Sequence, residues 1–196
     1  QTYNFTESVL PGELNLGALT DTVNLTDMVI ESKITVGKAS KKIVKIRESA
    51  HKTNVLLDLI SYILSAGSFA LITNSNWATV FLAAFLGGVV YGVVFLAGKS
   101  TYIATVVESF ASLMSTLVGG FLVVYLPPVN LSIAILSSII VLIPGLSMTT
   151  SLEEIAARSL VSGTGKFVDS MLSLFKQFFG LMLGLSILGL VIGVKY

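Results

Sequence analysis

The spacing of hydrophobic residues changes near residue 53. Before that point, apolar positions recur roughly every three to four residues, which predicts two amphipathic helices over about residues 16–31 and 36–50. Beyond it, apolar residues are almost continuous, and no charged residue occurs from Leu59 to Gly98 or from Ser109 to Leu152. Each of these runs is long enough for two membrane spans joined by a tight turn.

The apolar region predicts five membrane spans, over about residues 54–73, 77–97, 101–126, 129–144 and 165–194. The predicted fold class is all-α: a polytopic membrane helix bundle with five transmembrane helices. Residues 1–52 are predicted to form a short cytoplasmic helical region, and residues 53–196 the transmembrane domain. Close helix packing is expected at three G-x-x-x-G pairs, Gly88 with Gly92, Gly180 with Gly184 and Gly189 with Gly193.

The fourth span is interrupted by Pro144 and Gly145. Proline removes a backbone donor and clashes with the preceding turn, so a break in the helix is expected there. The helix before it would be only about 22 Å long, whereas the hydrocarbon core of a bilayer is about 30 Å thick. The break is therefore predicted inside the membrane, where non-helical backbone survives only beside protein or a water-filled cavity. We interpret this region as the substrate site of a transport protein.

A hydroxyl-rich stretch follows the break. Ser151-Leu152-Glu153-Glu154 has the form of a capping box, which predicts a helix that starts at about Leu152 and ends near Gly163. The free amides at such a helix start attract anions such as a substrate carboxylate. The alternative is a cytoplasmic connecting loop with an ordinary cap. The predicted substrate-binding residues are Pro144, Gly145, Ser147, Thr149, Thr150 and Ser151.

The composition supports a membrane protein and excludes several kinds of site. Charged residues make up 12% of the chain, against about 25% in soluble domains, and the mean hydropathy is +0.88. With no cysteine and one histidine, the chain has no thiol nucleophile, no cysteine metal site and no histidine cluster. We therefore expect no enzyme activity, no cofactor, no metal and no nucleic-acid partner.

Four charged residues are candidates for proton coupling or for recognition of substrate charge: Glu108, Glu154, Asp58 and Lys166. Glu108 stands alone in the third span, where an ionised group is costly and normally faces a cavity or a partner. Desolvation favours the protonated form of such a carboxyl, which makes Glu108 a candidate proton carrier. The alternative is a side chain that reaches the nearby inner interface.

The other three candidates also have ordinary explanations. Asp58 lies at the start of the first span and suits an interfacial residue. Glu154 and Arg158 are four residues apart, as in a surface pair on one helix. Lys166 has Asp169 three residues away, which suits the same explanation.

The distribution of basic residues predicts the orientation. Six Lys or Arg residues lie between Lys38 and Lys52, so the N-terminus is expected in the cytoplasm. Five spans then place the C-terminus outside. The predicted location is the bacterial plasma (inner) membrane, as a multi-pass protein in contact with the lipid bilayer.

The stretch that begins Leu142-Ile143-Pro144-Gly145 resembles the signature of the bacterial threonine/serine exporter family. Gly163 falls on a signature glycine, Glu154 on its acidic position and Lys166 on its basic position. Met148 replaces a leucine, and three further positions depart from the signature: Ser147 stands for a proline, Thr150 for an asparagine and Arg158 for a glycine.

The resemblance implies a function. Members of this family export small polar metabolites, chiefly threonine and serine, and a split branch is associated with dicarboxylates such as succinate. The chain resembles the first, five-span half of the fold. A second, smaller membrane subunit is therefore expected as a partner, and we expect an oligomer.

Two hypotheses follow. The first is a secondary exporter subunit for small carboxylate-bearing metabolites, coupled to protons through Glu108 or Glu154. The alternative is a non-transporting scaffold or regulatory subunit, whose basic N-terminal helix binds lipid head groups or a soluble partner.

Overall fold

The computed structural model describes residues 16–50, 54–98, 105–125 and 128–192. Every regular element in these ranges is helical and none is a β-strand, which confirms the all-α prediction. The chain divides into two compact units, residues 1–53 and residues 54–196.

The first unit contains two packed helices. α1 covers Leu16–Ile30 and α2 covers Val36–Ala50, as the apolar spacing predicts. Leu25 on α1 and Ala39 on α2 are buried. The basic side chains of α2 are exposed to solvent: Lys38, Lys41, Lys42, Lys45 and Arg47.

The second unit contains six α-helices among the described residues. They are α3 (Val55–Ile72), α4 (Trp77–Ala97), α5 (Val107–Val123), α6 (Leu131–Ile139), α7 (Gly145–Ala156) and α8 (Leu160–Ile192). A 3-10 turn, Ile140–Leu142, extends α6 towards α7. Asparagine side chains cap the starts of α3, α4 and α6, because each accepts a hydrogen bond from an amide of the first turn: Asn54, Asn76 and Asn130.

The described residues support three or four membrane spans. α3, α4 and α8 are each long and apolar enough to cross a bilayer, and α6 with α7 makes a fourth if the bent pair counts as one span. α5 is apolar but has only 17 residues. It was expected to start at residue 101, yet Thr105 and Val106 form a turn, and residues 101–104 lie outside the described ranges. The count of five spans therefore stays a prediction.

α4 lies at the centre of the apolar core. Its Leu86 and Val90 are fully buried, and Leu86 belongs to a cluster with Leu131 and Ile135 of α6. α3 approaches α4 closely at Gly87, where a β-carbon would lie 2.7 Å from the carbonyl oxygen of Tyr62. This packing holds α6, and therefore the break that follows it, against the rest of the unit.

The expected close packing at G-x-x-x-G pairs holds for one pair and needs correction for another. Gly180 and Gly184 of α8 lie directly against Ser109 and Thr116 of α5. A β-carbon on Gly92, in contrast, would meet no heavy atom within 4 Å. Gly87, which the pattern does not include, makes the close contact on α4. Gly193 lies outside the described residues.

Candidate substrate site at the broken helix

The helix breaks where the sequence predicts it. α6 ends at Ile139, the 3-10 turn follows, and Ile143 is extended with ψ of 122°. α7 then leaves at an angle of 56° to the preceding helix. Pro144 stands at the N-cap of α7, a place where its missing amide costs nothing.

The helix after the break starts earlier than the capping box predicts, so that prediction is wrong. α7 begins at Gly145, not at Leu152, and Ser151 lies inside the helix with no exposed surface. Ser151 Oγ donates to the carbonyl of Met148 at 2.7 Å instead of capping a helix start. Gly163, expected to end this helix, lies in the first turn of α8, where a β-carbon would be 2.9 Å from the carbonyl oxygen of Ser151.

The hydroxyl groups after the break form hydrogen bonds within α7. Thr149 Oγ1 donates to the carbonyl of Gly145 at 2.9 Å, and Thr150 Oγ1 donates to that of Leu146 at 3.0 Å. Ser147 is half-buried in the first turn, and its carbonyl also accepts from Thr150 at 3.2 Å. Each threonine hydroxyl keeps lone pairs that can accept a further hydrogen bond.

Gln177 of α8 donates a hydrogen bond to a carbonyl at the end of the broken helix. The hydropathy pattern did not predict this role. Gln177 Nε2 donates to the carbonyl of Leu142 at 2.7 Å, and the side chain is only 4% exposed. This carbonyl has lost its helical partner because the helix stops at the break. The signal in the sequence was a polar amide beside Lys176 in an otherwise apolar part of the last helix.

Glu108 stands alone in the sequence of its span, but in the structure it has two partners. Its Oε1 accepts a hydrogen bond from Ser173 Oγ at 3.1 Å, and its Oε2 lies 3.7 Å from Nζ of Lys176. Both partners belong to α8. Oε2 is buried and has no hydrogen-bond partner among the described residues. The charge is therefore compensated, but one carboxylate oxygen keeps unused capacity.

Four serines of α5 and α6 are fully buried. We call Ser112, Ser115, Ser137 and Ser138 the buried serine cluster. Ser115 Oγ and Ser138 Oγ are 2.6 Å apart and share a hydrogen bond. The hydroxyls of Ser112 and Ser137 have no partner among the described residues. A buried hydroxyl without a partner is costly, so these two groups keep capacity for a further hydrogen bond.

The helix register brings Glu108 level with the break. Gly119 faces Leu131 and Ile135, whereas Ser115, one turn earlier, faces Ser138, so α5 and α6 run antiparallel. Glu108 lies two further turns back along α5 from Ser115. The same distance along α6, beyond Ser138, leads to the 3-10 turn and the break. α8 supports the same alignment. Its Lys176 contacts Glu108 and the adjacent Gln177 contacts Leu142, so Glu108 and Leu142 lie at a similar level.

The remaining candidates lie elsewhere in the second unit. Glu154, near the end of α7, forms an ion pair with Lys166 of α8 and accepts a hydrogen bond from Ser162 at 2.7 Å. These partners replace the expected ones, Arg158 and Asp169. Asp58 lies in the first turn of α3, and no hydrogen bond or ion pair joins it to the other described candidates.

Arg158 adopts a backbone conformation that L-residues rarely use. Its φ is 64°, in the turn between α7 and α8. Glycine adopts this conformation without steric cost. This explains the glycine that the signature described above for the stretch from Leu142 has at the position of Arg158.

Two surface cavities are lined by residues other than those of the break. One, of about 270 Å³, is lined by α1 and α2, and the other, of about 350 Å³, by Met171, Leu174, Phe175 and Phe178 of α8. Neither is lined by residues from 142 to 151. A water-filled chamber at the break therefore stays a prediction.

Comparison with known proteins gives one match. A family model described as "Putative threonine/serine exporter" matches residues 1–188. No curated protein and no solved structure matches the chain.

Proposed function

Because the chain belongs to the threonine/serine exporter family, we propose that it is a secondary-transporter subunit that exports small carboxylate-bearing metabolites across the bacterial inner membrane. The observation that carries this proposal is the break at Pro144, which lies level with the Glu108–Lys176 pair. Broken helices of this kind bind substrates in other secondary transporters. Transport requires no covalent chemistry, and the family is one of transporters.

We propose that the substrate carboxylate binds the first amides of α7, on the same helix as the hydroxyl side chains. The helix dipole and the unpaired amides favour an anion there. The residues assigned to this site are Pro144, Gly145, Ser147, Thr149, Thr150 and Ser151. Threonine, serine and dicarboxylates such as succinate all carry the carboxylate that this part of the site requires.

The hydroxyl of Thr150 provides a direct test of this site. Thr150→Val keeps the shape of the side chain and removes one neutral hydrogen bond, worth ~1 kcal/mol. We expect efflux of L-threonine from cells to fall about fivefold at unchanged membrane abundance. Ser151→Ala is expected to lower efflux in the same direction.

Thr164→Val is the matched control, because Thr164 also donates to a carbonyl of its own helix, that of Leu160, and is exposed. Efflux in this variant should equal that of the parent. Unchanged efflux in both Thr150→Val and Ser151→Ala would contradict the assigned site.

We propose that Glu108, rather than Glu154, carries the coupling proton. A carboxylate that is ion-paired and hydrogen-bonded is held in its ionised form, and Glu154 has both Lys166 and Ser162. Glu108 has a longer contact with Lys176 and one oxygen without a hydrogen bond. α4 and α6, which also pack against α5, carry no charged residue that faces it.

Glu108→Gln is expected to flatten the pH dependence of export. In the parent, efflux should rise as the outer medium is acidified, because proton entry drives export. The variant retains the hydrogen-bonding shape but cannot release a proton. Efflux of L-threonine at fixed internal pH measures this, and Glu154→Gln should keep the parental response. An intact response in Glu108→Gln would exclude Glu108 as the coupling group.

We also propose that a second, smaller membrane subunit completes the site. α7 presents exposed side chains next to the break, among them Leu146 at 47% and Thr149. A second membrane half packed there would cover these groups. With the N-terminus in the cytoplasm and five spans, the C-terminus would lie outside.

A further inference from the structure

Four lysines of α2 form an exposed basic stripe. They follow one another at spacings of three or four residues, which places them on one face of the helix, and every one of them is exposed. We call Lys38, Lys41, Lys42 and Lys45 the lysine stripe. Ala39, in contrast, is buried where α1 and α2 pack. The stripe therefore presents four positive charges to a partner outside this helix pair.

The protein does not neutralise these charges within the described residues. There, the lysines that have a carboxylate partner are Lys33, Lys166 and Lys176. No ion pair joins a stripe lysine to an acidic side chain in the same ranges, although Asp21 lines one surface cavity with Lys42 and Lys45. The ammonium groups of the stripe are therefore available to an anionic partner.

The first unit is electrically asymmetric. α2 carries five basic residues and one acidic residue, whereas α1 carries two acidic residues and no basic one. An anionic surface therefore attracts α2 and repels α1. Val36 and Ile43 are also exposed, but their helical spacing places them on a different side of α2 from the stripe. The contact that α2 favours is therefore electrostatic and does not insert apolar side chains.

A membrane surface lies within reach of the stripe. α2 ends at Ala50, and α3, which is long and apolar enough to cross a bilayer, begins at Val55. An extended chain covers at most about 3.6 Å per residue, so the end of α2 stays within about 18 Å of the start of α3. A soluble acidic protein or a nucleic acid would have to diffuse to the stripe, whereas the headgroups of the bilayer are always near. The bilayer is therefore the partner that these observations favour.

We propose that the lysine stripe binds the phosphate groups of anionic phospholipids at the membrane surface where α3 begins. A lysine ammonium binds phosphate as a point charge, which suits laterally mobile headgroups. Each lysine near an anionic membrane surface strengthens binding about fivefold. This inference is independent of the exported substrate, and it adds a membrane contact outside the spans.

Amine labelling of the full chain tests this contact. The protein is reconstituted in nanodiscs of phosphatidylcholine alone, or of phosphatidylcholine and phosphatidylglycerol in equal parts. It is acylated with a neutral N-hydroxysuccinimide ester, and mass spectrometry gives the rate at each lysine. We expect the stripe lysines to react about fivefold more slowly in the phosphatidylglycerol nanodiscs. At about 1 M salt, where the Debye length falls to about 3 Å, the rates in the two lipids should be equal.

Lys33 is the internal control, because it lies outside α2 and already has a carboxylate partner, Glu31. Its rate should not respond to the lipid. Equal stripe rates in the two lipids, an equally large slowing at Lys33, or a slowing that persists at high salt would each overturn the proposal. Slowing by inorganic phosphate in phosphatidylcholine nanodiscs would identify a site for free phosphate instead. Slowing in native membrane vesicles but not with phosphatidylglycerol would identify a protein or nucleic-acid partner, and would also overturn the lipid contact.

Two variants with equal charge changes give a second test. Lys41→Gln/Lys45→Gln removes two charges from the stripe. Lys33→Gln/Arg47→Gln removes two exposed charges outside it. Glutamine keeps the helix propensity of lysine and arginine, so both variants should fold. The first should weaken lipid binding about 25-fold and abolish the lipid dependence of acylation at Lys38, whereas the second should retain it. Equal effects would show that net charge alone determines the contact and would contradict the stripe.

Discussion

Gly180→Ala is expected to remove most of the folded protein from the membrane. A β-carbon at this position would lie 2.1 Å from the carbonyl oxygen of Ser109 and within 2.9 Å of two further backbone atoms of that residue. Backbone atoms cannot rotate away, so α5 and α8 would have to separate. Overpacking of this kind costs about 1–3 kcal/mol and sometimes more. Separation would also break the hydrogen bond from Ser109 Oγ to the carbonyl of Lys176, now 2.8 Å long.

The consequence extends to the site, because the same contact positions Lys176 against Glu108 and Gln177 against Leu142. Folded protein is measured as the monodisperse fraction after extraction in mild detergent, together with its thermal midpoint. Gly165→Ala is the matched control on α8, since nothing lies within 4 Å of its β-carbon position. It should be neutral or stabilise the helix by about 0.5–1 kcal/mol. Wild-type behaviour of Gly180→Ala would show that α5 and α8 are not in this contact.

Gln177→Leu is expected to reduce export about tenfold or more while leaving most of the protein folded. The substitution keeps the volume of the side chain but removes the donor to the carbonyl of Leu142. An unpaired carbonyl costs about 1–3 kcal/mol when it is buried, and more where lipid excludes water. The break would then relax to satisfy this group, and the first amides of α7 would lose their position.

Export of L-threonine at matched membrane abundance measures this effect. Ser186→Ala is the control, because Ser186 is an exposed polar residue of α8 that bonds only to a carbonyl of its own helix, that of Met182. It should export at the parental rate. Parental export in Gln177→Leu would mean that the geometry of the break does not matter for transport. A loss of abundance as large as that in Gly180→Ala would mean that Gln177 is structural only.

The capping box illustrates where local motifs mislead. Ser151-x-x-Glu154 predicts a helix start only if the residues before it are not helical. Once Pro144 ends the preceding helix, nothing between Gly145 and Ser151 opposes a new one. Three of the hydroxyls expected to face the substrate also donate to carbonyls one turn back. α7 therefore starts several residues nearer the break than the capping box predicts. The expected anion site accordingly lies beside Pro144.

The sequence alone determined the all-helical class, most of the helices and the position of the break. Both depend on local properties: continuous apolar residues exclude charged loops, asparagines cap helix starts, and Pro144 cannot continue a helix whatever surrounds it. The resemblance of the stretch around Pro144 also led to the correct family.

Only the tertiary structure decided which polar groups meet. The hydrogen bonds of Gln177 with Leu142 and of Ser115 with Ser138 join residues 35 and 23 positions apart, and the Glu108–Lys176 pair joins different helices. Such contacts depend on the rotation and register of each helix, which hydropathy does not specify because both faces of a membrane helix are apolar. Small residues such as Gly180 set that register by letting two backbones touch. The geometry of the candidate site therefore depends on packing.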